Sequence, residues 1–310
     1  MYFPYFRGRQ YELLALKELV SGQLLSKSVI PVVEPIKLTS TFAGTLEAFV
    51  QSKRQIAIIF NPAVGGHAGA DNFANIFRAQ FGAVSAVLPT LLMGKNTDEV
   101  IQSLAAQGIV QSDIIAILDK RDFLDVYKEH FSEISPQYTL FPDERQIKRS
   151  VTQSKVMFED KFIKQEKNAD YKAVPDEFFS DDHLFFSEEG YVGFGDYSVV
   201  GNVFDEGGFA PKAVAIHIVY FDDDGVLRIH HFVSDSNMDI KDVAGKYYEA
   251  VTKLADWFKK GHQSQATNAL LTFVDHYENG YYPGLPTIKK LSIMHHLELM
   301  SKHLDRDVAE

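Results

Sequence analysis

The chain has no cysteine among its 310 residues. That excludes disulfides, thiolate metal centres and cysteine nucleophiles. It has a single tryptophan, and no apolar run is long enough to span a bilayer. It is also poor in positive charge: 31 Lys and Arg stand against 42 Asp and Glu, a net charge of −11. An acidic chain gains nothing from counterion release, so nucleic acid is not favoured as a partner. The basic stretch "RQIKRS" at 145–150 reads as a solvated connector. The opening "MYFPYFRGRQYE" lacks a basic region followed by an apolar run. No signal peptide is expected there, and the expected location is the cytoplasm. HExxH, Gly-x-Ser-x-Gly, Walker and dinucleotide fingerprints are all missing. Carboxylate, Lys, Tyr or metal-assisted chemistry remains.

What is present is a rhythm. Short apolar runs at 2–6, 29–36, 55–62, 83–93, 113–119, 137–143, 155–160 and 191–197 alternate, over most of that length, with amphipathic stretches such as "YELLALKELV" and "FLDVYKEHFSEI". Near-continuous apolar runs belong to parallel strands covered on both faces. Eight of them in strand–helix alternation predict an α/β fold, a (β/α)8 TIM-like barrel, with an open doubly wound sheet as the alternative. The run at 213–233 contains Asp223, Asp224 and Gly225 and predicts a β-hairpin. Helical patterns follow to the end of the chain. The expected organisation is one barrel domain over 1–260, hairpin included, and a C-terminal helical extension over 261–310.

Chemistry in such barrels sits where the strands end. The runs end in Arg7 and Arg9, Glu34, Asn61, Asp119 and Lys120, and Asp196 and Tyr197. Glu34 lies inside an apolar run, between Val33 and Pro35. A carboxylate there must find a partner, and Arg7 on the neighbouring strand is available. Glu34, Asp119 and Asp196 are the candidate catalytic groups. Arg7, Arg9, Asn61, Lys120, Tyr197 and Gly195 are the candidate ligand-binding groups. Substitution of Glu34 by Gln is expected to abolish ligand response and leave the fold intact.

Two glycine clusters stand near these ends. "GFGDYSVVGNVFDEGG" follows the last strand, where barrels often bind phosphate, and "NPAVGGHAGAD" at 61–71 could cradle an anion on its amides. In the hairpin, a two-residue tip at Asp223 and Asp224 would set His217 opposite His230, a pair able to join a carboxylate around a divalent metal. The hairpin itself could serve as a lid.

Three stretches carry a resemblance: "YFPYFRGRQYELLALKEL", "FEDKFIKQEKNADY" at 158–171, and "GFGDYS" leading to "GGFAPKAVAIHIVYF". Together they resemble the phage beta-protein-like family, and more closely its bacterial relatives. The likeness runs from the first strand to the hairpin. It implies a barrel, with genes in mobile or phage-defence neighbourhoods, and it supplies no catalytic residues. Arg7-Gly8 with Glu34 is also similar to glycerophosphodiesterase barrels, although Phe6 stands where their histidine would be.

Two functional expectations follow. One is a hydrolase, phosphodiesterase-like, acting on a phosphorylated or nucleotide-type ligand. The other is a non-catalytic sensing or scaffold barrel working with a protein partner or as a homodimer. Neither involves a membrane.

Overall fold

The structure is a computed structural model and describes residues 1–70, 72–205 and 211–307. Gly207 and Gly208 of the expected glycine loop lie outside the described residues. The chain forms two compact units, Met1–Asp160 with Asp182–Tyr197, and Lys161–Asp181 with Ser198–Glu310.

The first unit is a (β/α)8 TIM-like barrel. Its strands are β1 (Tyr5–Phe6), β2 (Val32–Val33), β3 (Ile56–Ile59), β4 (Val87–Leu92), β5 (Ile115–Ile117), β6 (Tyr138–Phe141) and β7 (Lys155–Phe158). After β8 (Asp176–Ser180), which belongs to the second unit, β9 (Gly193–Gly195) completes the series. All eight barrel strands pair in parallel in the order β1-β2-β3-β4-β5-β6-β7-β9. Helices α1 (Gln10–Ser21), α2 (Ser40–Gln51), α3 (Phe73–Phe81), α4 (Thr97–Ala105), α5 (Leu124–Phe131) and α6 (Arg145–Ser150) alternate with the strands, and the short α7 (Asp182–Phe185) precedes β9. Their starts follow ordinary capping chemistry where the sequence offers it; Thr39 accepts from the Phe42 amide at 3.2 Å at the head of α2.

The last strand closes on the first residues of the chain. The Phe3 amide donates to the Phe194 carbonyl at 2.9 Å, and the Phe194 amide to the Met1 carbonyl at 3.0 Å. Two glycines make this approach possible. A Cβ at Gly193 would lie 2.6 Å from the Met1 oxygen, and one at Gly195 would lie 2.5 Å from the Phe3 oxygen. Gly195 is therefore a closure residue, which corrects its expected place in a ligand loop. Successive strand residues alternate inward and outward. The inward set, Phe3, Tyr5, Ile30, Val32, Ala57, Ile59, Ile115, Ile117, Leu140, Val156 and Phe158, fills the barrel as a continuous buried core.

The second unit is built on an antiparallel sheet, β10 (Ala215–Phe221), β11 (Leu227–Val233) and β8, in the order β10-β11-β8. The hairpin exists, but its register differs from the expectation by one. Asp222 pairs with Val226, so the tip has three residues, and Gly225 at φ +77° takes the left-handed position. His217 consequently faces His231, and His230 faces Ile218. The hairpin and α8 (Val243–Lys259) group with α9 (Asn268–Asn279) and α10 (Leu285–Asp307). Glu298 of α10, 1 % exposed, accepts the Asn268 amide at 2.9 Å and so caps α9. No helix among the described residues is long and apolar enough to cross a membrane.

Candidate functional site

The inward row continues past the core at the strand ends, and there it turns polar. Arg7 stands two residues beyond Tyr5, Glu34 two beyond Val32, and Asn61 two beyond Ile59. Asp119, Asp160 and Tyr197 stand in the same relation to Ile117, Phe158 and Gly195. This layer is the mouth of the barrel, at the C-terminal ends of its strands.

Glu34 is the anchor of the layer. It is completely buried. One carboxylate oxygen accepts from the Tyr5 hydroxyl at 2.7 Å and from the Arg7 guanidinium. The other accepts from the backbone amides of Ala63 at 2.6 Å and Val64 at 3.2 Å. The glycine loop at 61–71 does cradle an anion on its amides, and that anion is this side chain. Gly65, at φ +81°, lies against Ile36 so closely that a Cβ would come within 2.5 Å of the Ile36 Cα. The loop is thereby held on the end of β2, where its amides reach Glu34.

Arg7 is fixed from several sides. Its Nη1 donates to the Tyr5 hydroxyl at 3.0 Å as well as to Glu34. Its guanidinium lies 5.0 Å from the Tyr5 ring centre and 5.9 Å from that of Tyr197. Its own amide and that of Arg9 donate to buried Glu12, at 3.0 and 3.2 Å. Gly8, at φ +63°, makes the turn between them.

Tyr197 is half-buried against Tyr5 and Phe158, with ring centres 4.9 and 5.0 Å away. Burial pushes its phenol up; Arg7 opposes this, and the charges of Asp119, Asp160 and Glu34 add to it. At neutral pH it is a hydroxyl and a donor. Asp119 is exposed, but its partial desolvation raises its carboxyl above the ordinary value, against the pull of Lys120 and Arg7. The charges of Arg7, Asp119, Asp160 and Glu34 all act on Tyr197, and Arg7 also acts on Asp119.

The other expected residues lie elsewhere or do other work. Asp196 has the opposite strand parity to Tyr197. Its carboxylate accepts from the Tyr2 hydroxyl at 2.9 Å, and Tyr2 stacks on Phe194 with ring centres 5.1 Å apart. Asp196 is therefore on the outer row of the barrel, 4 % exposed, and not in the mouth. Asn61 prolongs the β3–β4 ladder, donating to the Leu92 carbonyl at 2.7 Å and accepting its amide at 2.8 Å. Arg9 is half-buried at the head of α1, and Lys120 is exposed beside Asp119. Tyr5 and Asp160 belong to the mouth too, although Asp160, at the end of its apolar run, is not among the candidate groups above. The signal for both is parity, two residues on from or within the inward core.

His217 and His230 do not share a site. The His217 Nδ1 lies 2.7 Å from the Nδ1 of His231, whose Nε2 lies 3.0 Å from Glu177. His230 bonds instead to Asp176 at 3.0 Å. No group of three or more His, Asp or Glu side chains among the described residues is placed to hold a metal ion. No family model and no curated protein matches the chain.

Proposed function

We propose that the barrel mouth is an acid–base site and that the protein is a hydrolase acting on a phosphorylated or nucleotide-type ligand. The observation that carries this reading is the Arg7 guanidinium, fixed by buried Glu34 and Tyr5 and 5.9 Å from the Tyr197 ring centre, at strand ends that also carry Asp119 and Asp160. An immobile guanidinium stabilises charge on a phosphoryl group without having to reorganise. Lys120, exposed at the rim, adds a second cation. Asp119, with its raised proton affinity, suits the acid that protonates a leaving oxygen. Asp160 suits the base that takes a proton from the attacking water. Water adds to phosphorus, the ester P–O bond breaks, and the leaving oxygen takes the Asp119 proton. Tyr197 donates a hydrogen bond to the developing charge.

The test is hydrolysis of bis(p-nitrophenyl) phosphate and a nucleotide panel by the wild-type protein, Asp119→Asn, Tyr197→Phe and Arg7→Lys. Loss of the acid should lower turnover by about 10²-fold or more while leaving the melting temperature within a few degrees. Turnover equal in all four proteins, or no turnover of any phosphoester by the wild type, rejects the reading.

A further inference from the structure

The second unit contains a cavity of about 530 Å³ beside β11 and α8, within the range that holds small ligands. Lys172, Lys253 and Lys260 line it, against Asp235 and Asp256. In a chain of net charge −11, this lining carries one more positive than negative charge. His230 adds no charge at neutral pH, because burial lowers its proton affinity further than Asp176 restores it.

One wall is aromatic and rigid. Trp257 stacks flat on His262, ring centres 3.7 Å apart at 15°. Phe232 meets Trp257 edge-on at 5.6 Å, and His230 lies over Phe232 at 4.4 Å. Asp176 fixes His230 in turn: it accepts from the Tyr220 hydroxyl at 2.8 Å and Arg228 at 2.6 Å, and lies 3.0 Å from His230 Nδ1. The carboxylate sets the tautomer by accepting a hydrogen bond from Nδ1–H, which leaves Nε2 as an acceptor. On the rim, Asp235 is shared by Lys172 at 3.0 Å and Lys253 at 2.8 Å. Lys260 is exposed and makes no ion pair among the described residues.

We propose that this cavity is a binding site for a nucleoside phosphate, independent of the barrel mouth. The aromatic wall takes the flat base, and the acceptor Nε2 of His230 suits an exocyclic amino group. Lys260, joined by the Lys172–Asp235–Lys253 cluster, takes the phosphate. Neither half suffices alone: a bare phosphate leaves the apolar wall wet, and a bare nucleoside leaves the cations unmatched.

Trp257 is the sole tryptophan of the chain, so indole fluorescence reports this cavity directly. The experiment titrates the full chain in EDTA with AMP, ATP, adenosine and inorganic phosphate, excited at the red edge of the indole band with absorbance correction. Saturable quenching by AMP or ATP is expected, with adenosine and phosphate at least about tenfold weaker. Lys260→Glu should weaken the nucleotide about tenfold or more, the size of one charged hydrogen bond, with an unchanged melt. Added salt should weaken it too. Fluorescence unmoved by nucleotide at millimolar concentration overturns the proposal. So does quenching that persists in Lys260→Glu, and so does quenching that is lost in Arg7→Lys instead, which belongs to the mouth.

Discussion

Replacing Glu34 by Gln should unfold the barrel's mouth rather than merely silence it. Four donors converge on its carboxylate: the Tyr5 hydroxyl, the Arg7 guanidinium and the amides of Ala63 and Val64. A carboxamide can satisfy only one side. With its oxygen toward the amides, its NH2 faces Arg7, which cannot accept. With its oxygen toward Arg7, its NH2 faces two backbone N–H groups. Arg7 also loses its counter-ion at 15 % exposure. Breaking one half of a buried pair costs about 3–5 kcal/mol. For a unit of this size, 1 kcal/mol moves the melting temperature by about 2–4 °C, so a fall of roughly 6–20 °C is expected by calorimetry. Adding Arg7→Met to Glu34→Gln should recover part of the loss, since the stranded charge is then gone. A fall of less than about 2 °C would refute the reasoning and return Glu34 to the candidate catalytic groups.

Other outcomes follow from the same packing. Gly195→Ala forces a Cβ to 2.5 Å from the Phe3 carbonyl oxygen; it should cost about 2–3 kcal/mol, read as a lower urea midpoint, and an unchanged midpoint would show that the closure has slack. Burial pulls His295 down to about 4, and it is neutral between Thr267 at 2.7 Å and the Val219 carbonyl at 2.8 Å. Its folded value lies below the unfolded 6.5, so the unfolded chain binds the extra proton and stability falls as pH drops from 6.5 to about 4. That loss amounts to about 3 kcal/mol for His295 alone, checked by urea unfolding at several pH values; a flat profile from pH 7 to 5 would contradict it. Gly225→Ala, at φ +77°, should loosen the hairpin by about 1–2 kcal/mol, visible as faster amide exchange along β10 and β11.

The eight barrel strands were legible because a parallel strand covered on both faces writes itself as an apolar run, from "YFPYF" to "YVGFGDY". The mouth was half legible. Arg7 and Glu34 stood out as charges at the ends of such runs, and they are paired. Asp196 stood out equally and lies on the other side of the strand, since an apolar run hides its own parity. Gly195 was misread because a closure glycine and a loop glycine look alike until the neighbouring backbone is known. The hairpin register slipped by one because the tip could be counted as two residues or three, and only the Asp222–Val226 pairing decides. Strand β8, "DEFFS", carries two acids and, among the described residues, is an edge strand on β11, so no apolar run announced it.

The chain enters the barrel twice: it leaves at Asp160, builds β8, and returns at Asp182 to lay down β9. No single cut therefore separates the two units as whole pieces. A fragment ending at Asp160 would expose the free edge of β7 and, on the other side, the Met1 carbonyl and the Phe3 and Tyr5 amides, two unpaired edges that invite edge-to-edge association. On the ribosome those edges stay open until residue 195 has been made, and closure then joins segments about 190 residues apart, a strongly non-local contact. The interval between the seventh strand and the eighth is when the nascent protein has most need of a chaperone.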